Sequence, residues 1–235
     1  MSIIVTTGGP ISSLSTAISS AAPTFGDILT AIADDIDDTT GEYTAQITSA
    51  ILSAIRYCER FAYYFNETRD ITFPTVDGQE WYDGADNPAI PTLVNIAMVY
   101  TEDSNGERWY VKRAMPDDIE LISDNSASRG RPYAWTYFGR RIRLYPIPSS
   151  TVYTVRLQVG PYRLDQITDQ GQSNAWTTEA FDLIKARAKY ILYKDTIKDA
   201  AMASEALNDF NDQQAMLLGE TASRNSRGVI IATAF

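Results

Sequence analysis

Residues 130–164, GRPYAWTYFGRRIRLYPIPSSTVYTVRLQVGPYRL, constrain the fold more than any other stretch, because apolar and polar side chains alternate there at strand period. Tyr133, Trp135, Tyr137, Ile142, Leu144, Val152, Tyr153, Val155, Leu157 and Val159 are aromatic, β-branched or aliphatic, the types that pack on a pleated surface. Gly139, with the charges of Arg140 and Arg141 beside it, suits a hairpin turn. Pro146-Ile147-Pro148 cannot occupy a central strand, since proline donates no ladder hydrogen bond. From Asn125 to Leu164 there are seven arginines, Arg129, Arg131, Arg140, Arg141, Arg143, Arg156 and Arg163, and no Asp or Glu.

The whole chain of 235 residues carries 30 acidic and 20 basic residues, a net charge of −10, which argues against a general nucleic-acid binder. Outside residues 125–164 the remaining 13 basic residues face all 30 acidic ones, so the sequence is bipolar. Opposed patches of this kind suit head-to-tail self-association, with Arg129, Arg131, Arg140, Arg141 and Arg143 as an interface to another subunit or to a partner protein. A solvated strand face would show the same pattern.

Helices are expected on either side. Residues 1–22, rich in Ser, Thr, Ala and Gly, read as an arm. Residues 23–66 read as the first helical part: Thr24 and Asp27 form an approximate capping box, and the helix should stop at Asp34, Asp35, Asp37 and Asp38, whose carboxylates oppose its dipole. A second helix is predicted from Tyr43 to Phe65 on the stripe Ile47, Ile51, Ala54, Ile55, Cys58, Phe61 and Phe65. Residues 67–165 read as strands, with Leu93–Tyr100 facing Arg108–Arg113 across a turn at residues 102–106, and one helical turn after Pro116. Residues 166–223 read as the second helical part, opened by Thr177, broken near Asp195–Asp199 and ended at about Gly219. Residues 224–235 form a hinge and a tail, of which Val229-Ile230-Ile231-Ala232-Thr233-Ala234-Phe235 is apolar, β-prone and uncharged, and so needs a cover. The fold class expected is α+β: an α-helical bundle built from the N- and C-terminal helices, with an inserted antiparallel β-subdomain.

Little enzymatic chemistry is available. The chain has no histidine, which removes Ser-His-Asp and Cys-His catalysis and most zinc sites. No phosphate-cradling Gly-rich motif is present, and Cys58, the only cysteine, lies within an apolar stripe as an inert thiol would. No signal peptide or membrane span is read, no cofactor or metal is expected, and the protein is expected to be soluble and cytosolic when made. Paired carboxylates could serve a hydrolase of cell-wall polysaccharide, and the Arg-, Trp- and Tyr-rich stretch could serve a nucleic-acid-binding module; these are the alternative readings.

The order Gly130, Pro132, Tyr133, Gly139, Leu144, Tyr145, Pro146, Pro148 followed by a Val/Leu-rich strand resembles the β-domain of tailed-bacteriophage head-to-tail adaptor (connector) proteins, with the element order of residues 25–220 in support. The resemblance implies a non-enzymatic structural protein of the virion neck. It implies a homo-oligomeric ring, a dodecamer, beneath the portal protein ring, which extends the channel through which DNA passes without specific binding and offers a platform to tail (nozzle or tail-tube) proteins. It further implies a portal-docking tail, here Gly228, Val229, Ile230, Ile231, Ala232, Thr233, Ala234 and Phe235. An acidic channel or rim would draw on Asp34, Asp35, Asp37 and Asp38, since carboxylates repel passing phosphates.

Overall fold

Thr24 opens the first helix, α1 (Phe25–Asp35), with a complete capping box: the Asp27 amide donates to Thr24 Oγ1, and the Thr24 amide donates to Asp27 Oδ2 at 2.7 Å. In the computed structural model, which describes residues 21–123, 127–149 and 152–226, this helix ends in a Schellman motif. Asp37 takes the left-handed conformation (φ 57°) and the Asp38 amide reaches back to the Ala33 carbonyl at 2.9 Å. The aspartate run therefore stops α1 through backbone geometry as well as through its charge.

The second helix, α2 (Thr44–Cys58), buries Ile47, Ile51, Ala54 and Cys58. It ends seven residues before the predicted Phe65, because the buried Asn66 offers the backbone another arrangement: its Oδ1 accepts from the Tyr63 amide at 2.6 Å and its Nδ2 donates to the Phe61 carbonyl at 3.0 Å. The aromatics that prolonged the apparent stripe still pack inward, with Phe65 edge-on to Trp176 at 4.9 Å between centroids. After the strands comes α4 (Ala175–Thr178), capped by Asn174 with Thr177 at its third position, so Thr177 completes the box without being the cap. Then follow α5 (Phe181–Ile191), a π-helical turn Leu192–Ile197 closed by left-handed Lys198, and α6 (Ala200–Ser226), whose start is held by the Asp199 carboxylate. The predicted break is thus a π turn. The predicted stop at Gly219 does not occur. Buried Thr221 accepts from the Tyr64 amide at 3.2 Å and donates to the Leu217 carbonyl at 2.8 Å, tying a further turn to the core.

Among the described residues seven strands make one sheet in the order β1-β7-β3-β4-β5-β6-β2: β1 (Thr68–Pro74), β2 (Trp81–Tyr82), β3 (Ile96–Glu102), β4 (Arg108–Arg113), β5 (Ala134–Phe138), β6 (Arg141–Tyr145) and β7 (Thr154–Val159). The β3–β4 hairpin turns at Asp103, whose Oδ1 accepts from the Asn105 and Glu107 amides, with Gly106 at φ 82°. The β5–β6 hairpin turns on two residues, Gly139 and Arg140, both at positive φ, the geometry that a two-residue turn between twisted strands requires. The sheet curls: Phe73 on edge strand β1 and Tyr82 on edge strand β2 bring their rings to 5.3 Å.

The expected architecture, a helical bundle with an inserted antiparallel subdomain, is corrected on two counts. First, the sheet is mixed. β4 and β5 run parallel, Lys112 beside Ala134 and Arg113 beside Trp135, because residues 114–133 are long enough for a crossover. The short helix α3 (Pro116–Ile122) rides in that crossover, with Ile119 buried against Ala134 and Tyr145. Second, the helices are too unequal to share a bundle axis. At about 1.5 Å per residue, α1 with 11 residues is near 16 Å long and α6 with 27 is near 40 Å. They form instead a layer in which α5 lies between α2 and α6 and α1 closes one end. The chain is α+β, with one core in the helical layer and another inside the curled sheet.

Candidate interaction surfaces

The seven arginines of residues 125–164 come from one acid-free stretch, but the fold brings acids to most of them. Arg141 sits between Asp83 (3.0 Å) and Asp86 (3.3 Å), Arg129 lies 3.9 Å from Asp77, Arg163 3.5 Å from Glu59, and Arg156 within 4.0 Å of Asp70 and Glu102. Arg143 goes furthest inward: its side chain is only 6% exposed, bonded to Glu80 and Glu120 and stacked over Trp81 at 5.2 Å. The bipolar sequence is therefore largely neutralised across strands. Arg143 and Arg141 brace the β2–β6 edge.

Arg131 and Arg140 differ from the rest. Both are exposed, and neither makes an ion pair among the described residues. Arg131 lies flat over Trp109 at 4.2 Å. Arg140, at the hairpin tip, borders a cleft of about 720 Å³ between α2 and the segments 84–92 and 163–176, which Arg56 and the Glu59–Arg163 pair also line. Burial raises the Glu59 carboxyl above its ordinary range against the pull of Arg163 and Arg56.

Three of the four aspartates at the end of α1 have local work. Asp35 holds Lys185 (3.0 Å) and Lys189 (2.9 Å) of α5; burial pushes its carboxyl up, but hydrogen bonds and charge from both lysines outweigh this and hold it below the usual value. Asp37 supplies the left-handed cap, and Asp38 accepts from the Glu42 and Tyr43 amides, each at 2.9 Å, before α2. Asp34 is exposed. Cys58 is fully buried and its thiol is pushed up to about 12, mainly by desolvation, as an inert core residue should be. Among the described residues no group of His, Cys, Asp or Glu is arranged to hold a metal ion, and no helix is long and apolar enough to cross a membrane.

A family model described as SU10 adaptor protein matches residues 23–232, nearly the whole chain. The chain belongs to that family. The SU10 adaptors are phage head-to-tail adaptors, so the resemblance carried by Gly130 to Pro148 is borne out, and the protein is a structural adaptor of a phage. A search of curated proteins found no match.

On the adaptor, several exposed apolar side chains lie outside the residues singled out from the sequence. Met98 and Tyr100 on β3 and Tyr110 (58% exposed) on β4 share the outer face of the sheet, with Tyr100 directly opposite both Tyr110 and Arg156. Phe138 (64%) caps the β5–β6 hairpin, and Leu121 (85%) projects from α3. Strand alternation carried the signal for the first group: if Val99 and Thr101 face inward, Met98 and Tyr100 must face out. Residues 1–20 of the arm, and with them the whole docking tail Gly228–Phe235, lie outside the described residues.

Proposed function

We propose that this adaptor assembles as a ring, a dodecamer, under the portal of the phage head, extends the DNA channel, and presents its sheet to the tail proteins that attach next. The observation that carries the reading is the SU10 adaptor match over residues 23–232. The surfaces are consistent with it. Arg131 and Arg140, exposed and without acid partners among the described residues, together with the Met98, Tyr100 and Tyr110 face, have the Arg- and Tyr-rich composition of a protein interface. In this reading Arg129, Arg141 and Arg143 hold the sheet edge that presents those contacts.

The net charge of −10 suits a channel through which DNA must slide without sticking. Asp34 and Asp37, which lack ion pairs among the described residues, would be the part of the acidic rim left to face phosphate, with Asp35 and Asp38 fixing their position. Residues 228–235 would dock onto the portal, covering an apolar segment. Light scattering on a sizing column tests the reading: the adaptor should join a portal ring in stoichiometric ring number. A protein that ignores the portal, alone and after mixing, would refute it.

A further inference from the structure

The edge strand β1 ends the sheet, pairing among the described residues with β7 alone, so its outer side carries no ladder; a bulge shifts the register between Thr68 and Ile71, where the Asp70 amide donates to Thr68 Oγ1 at 3.1 Å. The end of α6 is fixed beside its first residue. Asn225 Nδ2 donates to Glu67 Oε1 at 2.8 Å, and Arg224 lies over the Tyr64 ring at 3.7 Å. Beside them is a groove of about 740 Å³ lined by Glu67, Thr68, Asp70, Arg224 and Asn225 and, from β7, by Gln158 and Val159, so it opens over the start of the β1–β7 pair. A second groove of about 350 Å³, bounded by Asp70, Ile71, Thr72, Ala89 and Tyr162, continues along the same strand. The chain thus leaves α6 at Ser226 facing an open strand edge, with the β-prone segment Val229–Phe235 two residues further on.

We propose that Val229–Phe235 adds to the free edge of β1 of its own chain, over Thr68–Thr72, as an eighth strand of the sheet. At about 3.3 Å per residue its seven residues are long enough for that edge. Its alternation fits: Val229, Ile231, Thr233 and Phe235 fall on one face and Ile230, Ala232 and Ala234 on the other. The bulkier row turns to Ile71, Ala89 and Tyr162, and the smaller row to the polar groove. No charge lies within the segment, so pairing strands no ion. Main-chain bonds supply the affinity, as in strand addition generally, and the two-residue link Arg227-Gly228 supplies a high effective concentration. Pairing stops before Pro74, which has no amide to give. A segment stored in this way stays covered until a competing site takes it, and the storage does not depend on portal docking.

Hydrogen exchange on the free full-length protein tests the proposal. Amides of Thr68–Thr72 should exchange about tenfold or more slowly than in a chain ending at Gly228, while those of β3 stay unchanged. Ile231→Asp in the full-length chain should expose the same amides, which guards against a truncation that unfolds. Protection of Thr68–Thr72 that is equal in all three proteins would overturn the proposal, and so would protection that falls on dilution, because it would place the segment on a second copy.

Discussion

Trp176 and Arg143 are both large and both buried, one in the helical layer and the other in the sheet, and they are held in different ways. Trp176, 1% exposed, is enclosed by Tyr63, Phe65 and the aliphatic faces of the helices. Arg143 is enclosed by charge and by an indole face: Glu80 from the segment before β2, Glu120 from α3 and the ring of Trp81. The helical core is a matter of apolar area and fit. The sheet edge is pinned by ions from three separate parts of the chain, so it gains register and orientation more than net free energy. A helical layer of this kind tolerates change that preserves volume, whereas the sheet edge tolerates change only when partners change together.

Trp176→Ala gives the largest expected effect, about 3–5 kcal/mol lost, measured as a shift of the urea midpoint, because a deeply buried ring leaves a cavity. Arg143→Met should cost less, about 1–3 kcal/mol, since Glu80 and Glu120 keep partial access to water. Pairing it with Glu80→Gln and Glu120→Gln should recover part of the loss, and full additivity would remove the ionic account of the edge. A cost for Arg143→Met equal to that of Trp176→Ala would erase the contrast between the two regions.

Gly219→Ala should stabilise the protein by about 0.5–1 kcal/mol, since Gly219 lies within α6 and an added Cβ meets nothing within 4 Å. Destabilisation in the same urea assay would show that this glycine does end a helix. The smallest effect belongs to Asp35. Its folded carboxyl lies below the ordinary value, so its contribution is present above an unfolded pKa of about 3.9 and is lost as pH falls through the lower folded value. Asp35→Asn should therefore cost under about 1 kcal/mol at pH 7, and the difference from the parent should close below about pH 4.

The sequence made these helices legible because their signals are local: Thr24 with Asp27, the Ile47–Ile51–Cys58 stripe, and Pro116 in the first turn of α3. Hairpins at Gly139 and Asp103 were legible for the same reason. What local pattern could not supply was the parallel β4–β5 pair, since nothing in Lys112 or Ala134 announces a partner more than twenty residues away. Two helix ends were missed for different reasons: the Asn66 side chain bonds locally to the Tyr63 amide and the Phe61 carbonyl, which overrode the apolar stripe, whereas Thr221 is tied to the distant Tyr64 amide, which overrode the glycine. Among the candidate site residues, the arginine run was visible as composition, but its acid partners are spread over residues 59–120, so its neutralisation was invisible. Among the described residues only Arg131 and Arg140 keep the exposed character without an ion pair that the run suggested: one is stacked on Trp109 and the other sits at a hairpin tip.

Cys58 has a practical consequence. A single sulfur sealed between α2 and its neighbours, with its thiol pushed up to about 12, makes the folded adaptor almost silent to alkylating probes. Any cysteine installed on its surface becomes a unique address for a fluorophore or spin label, and the slow labelling of Cys58 itself becomes a clock for how often the helical layer opens.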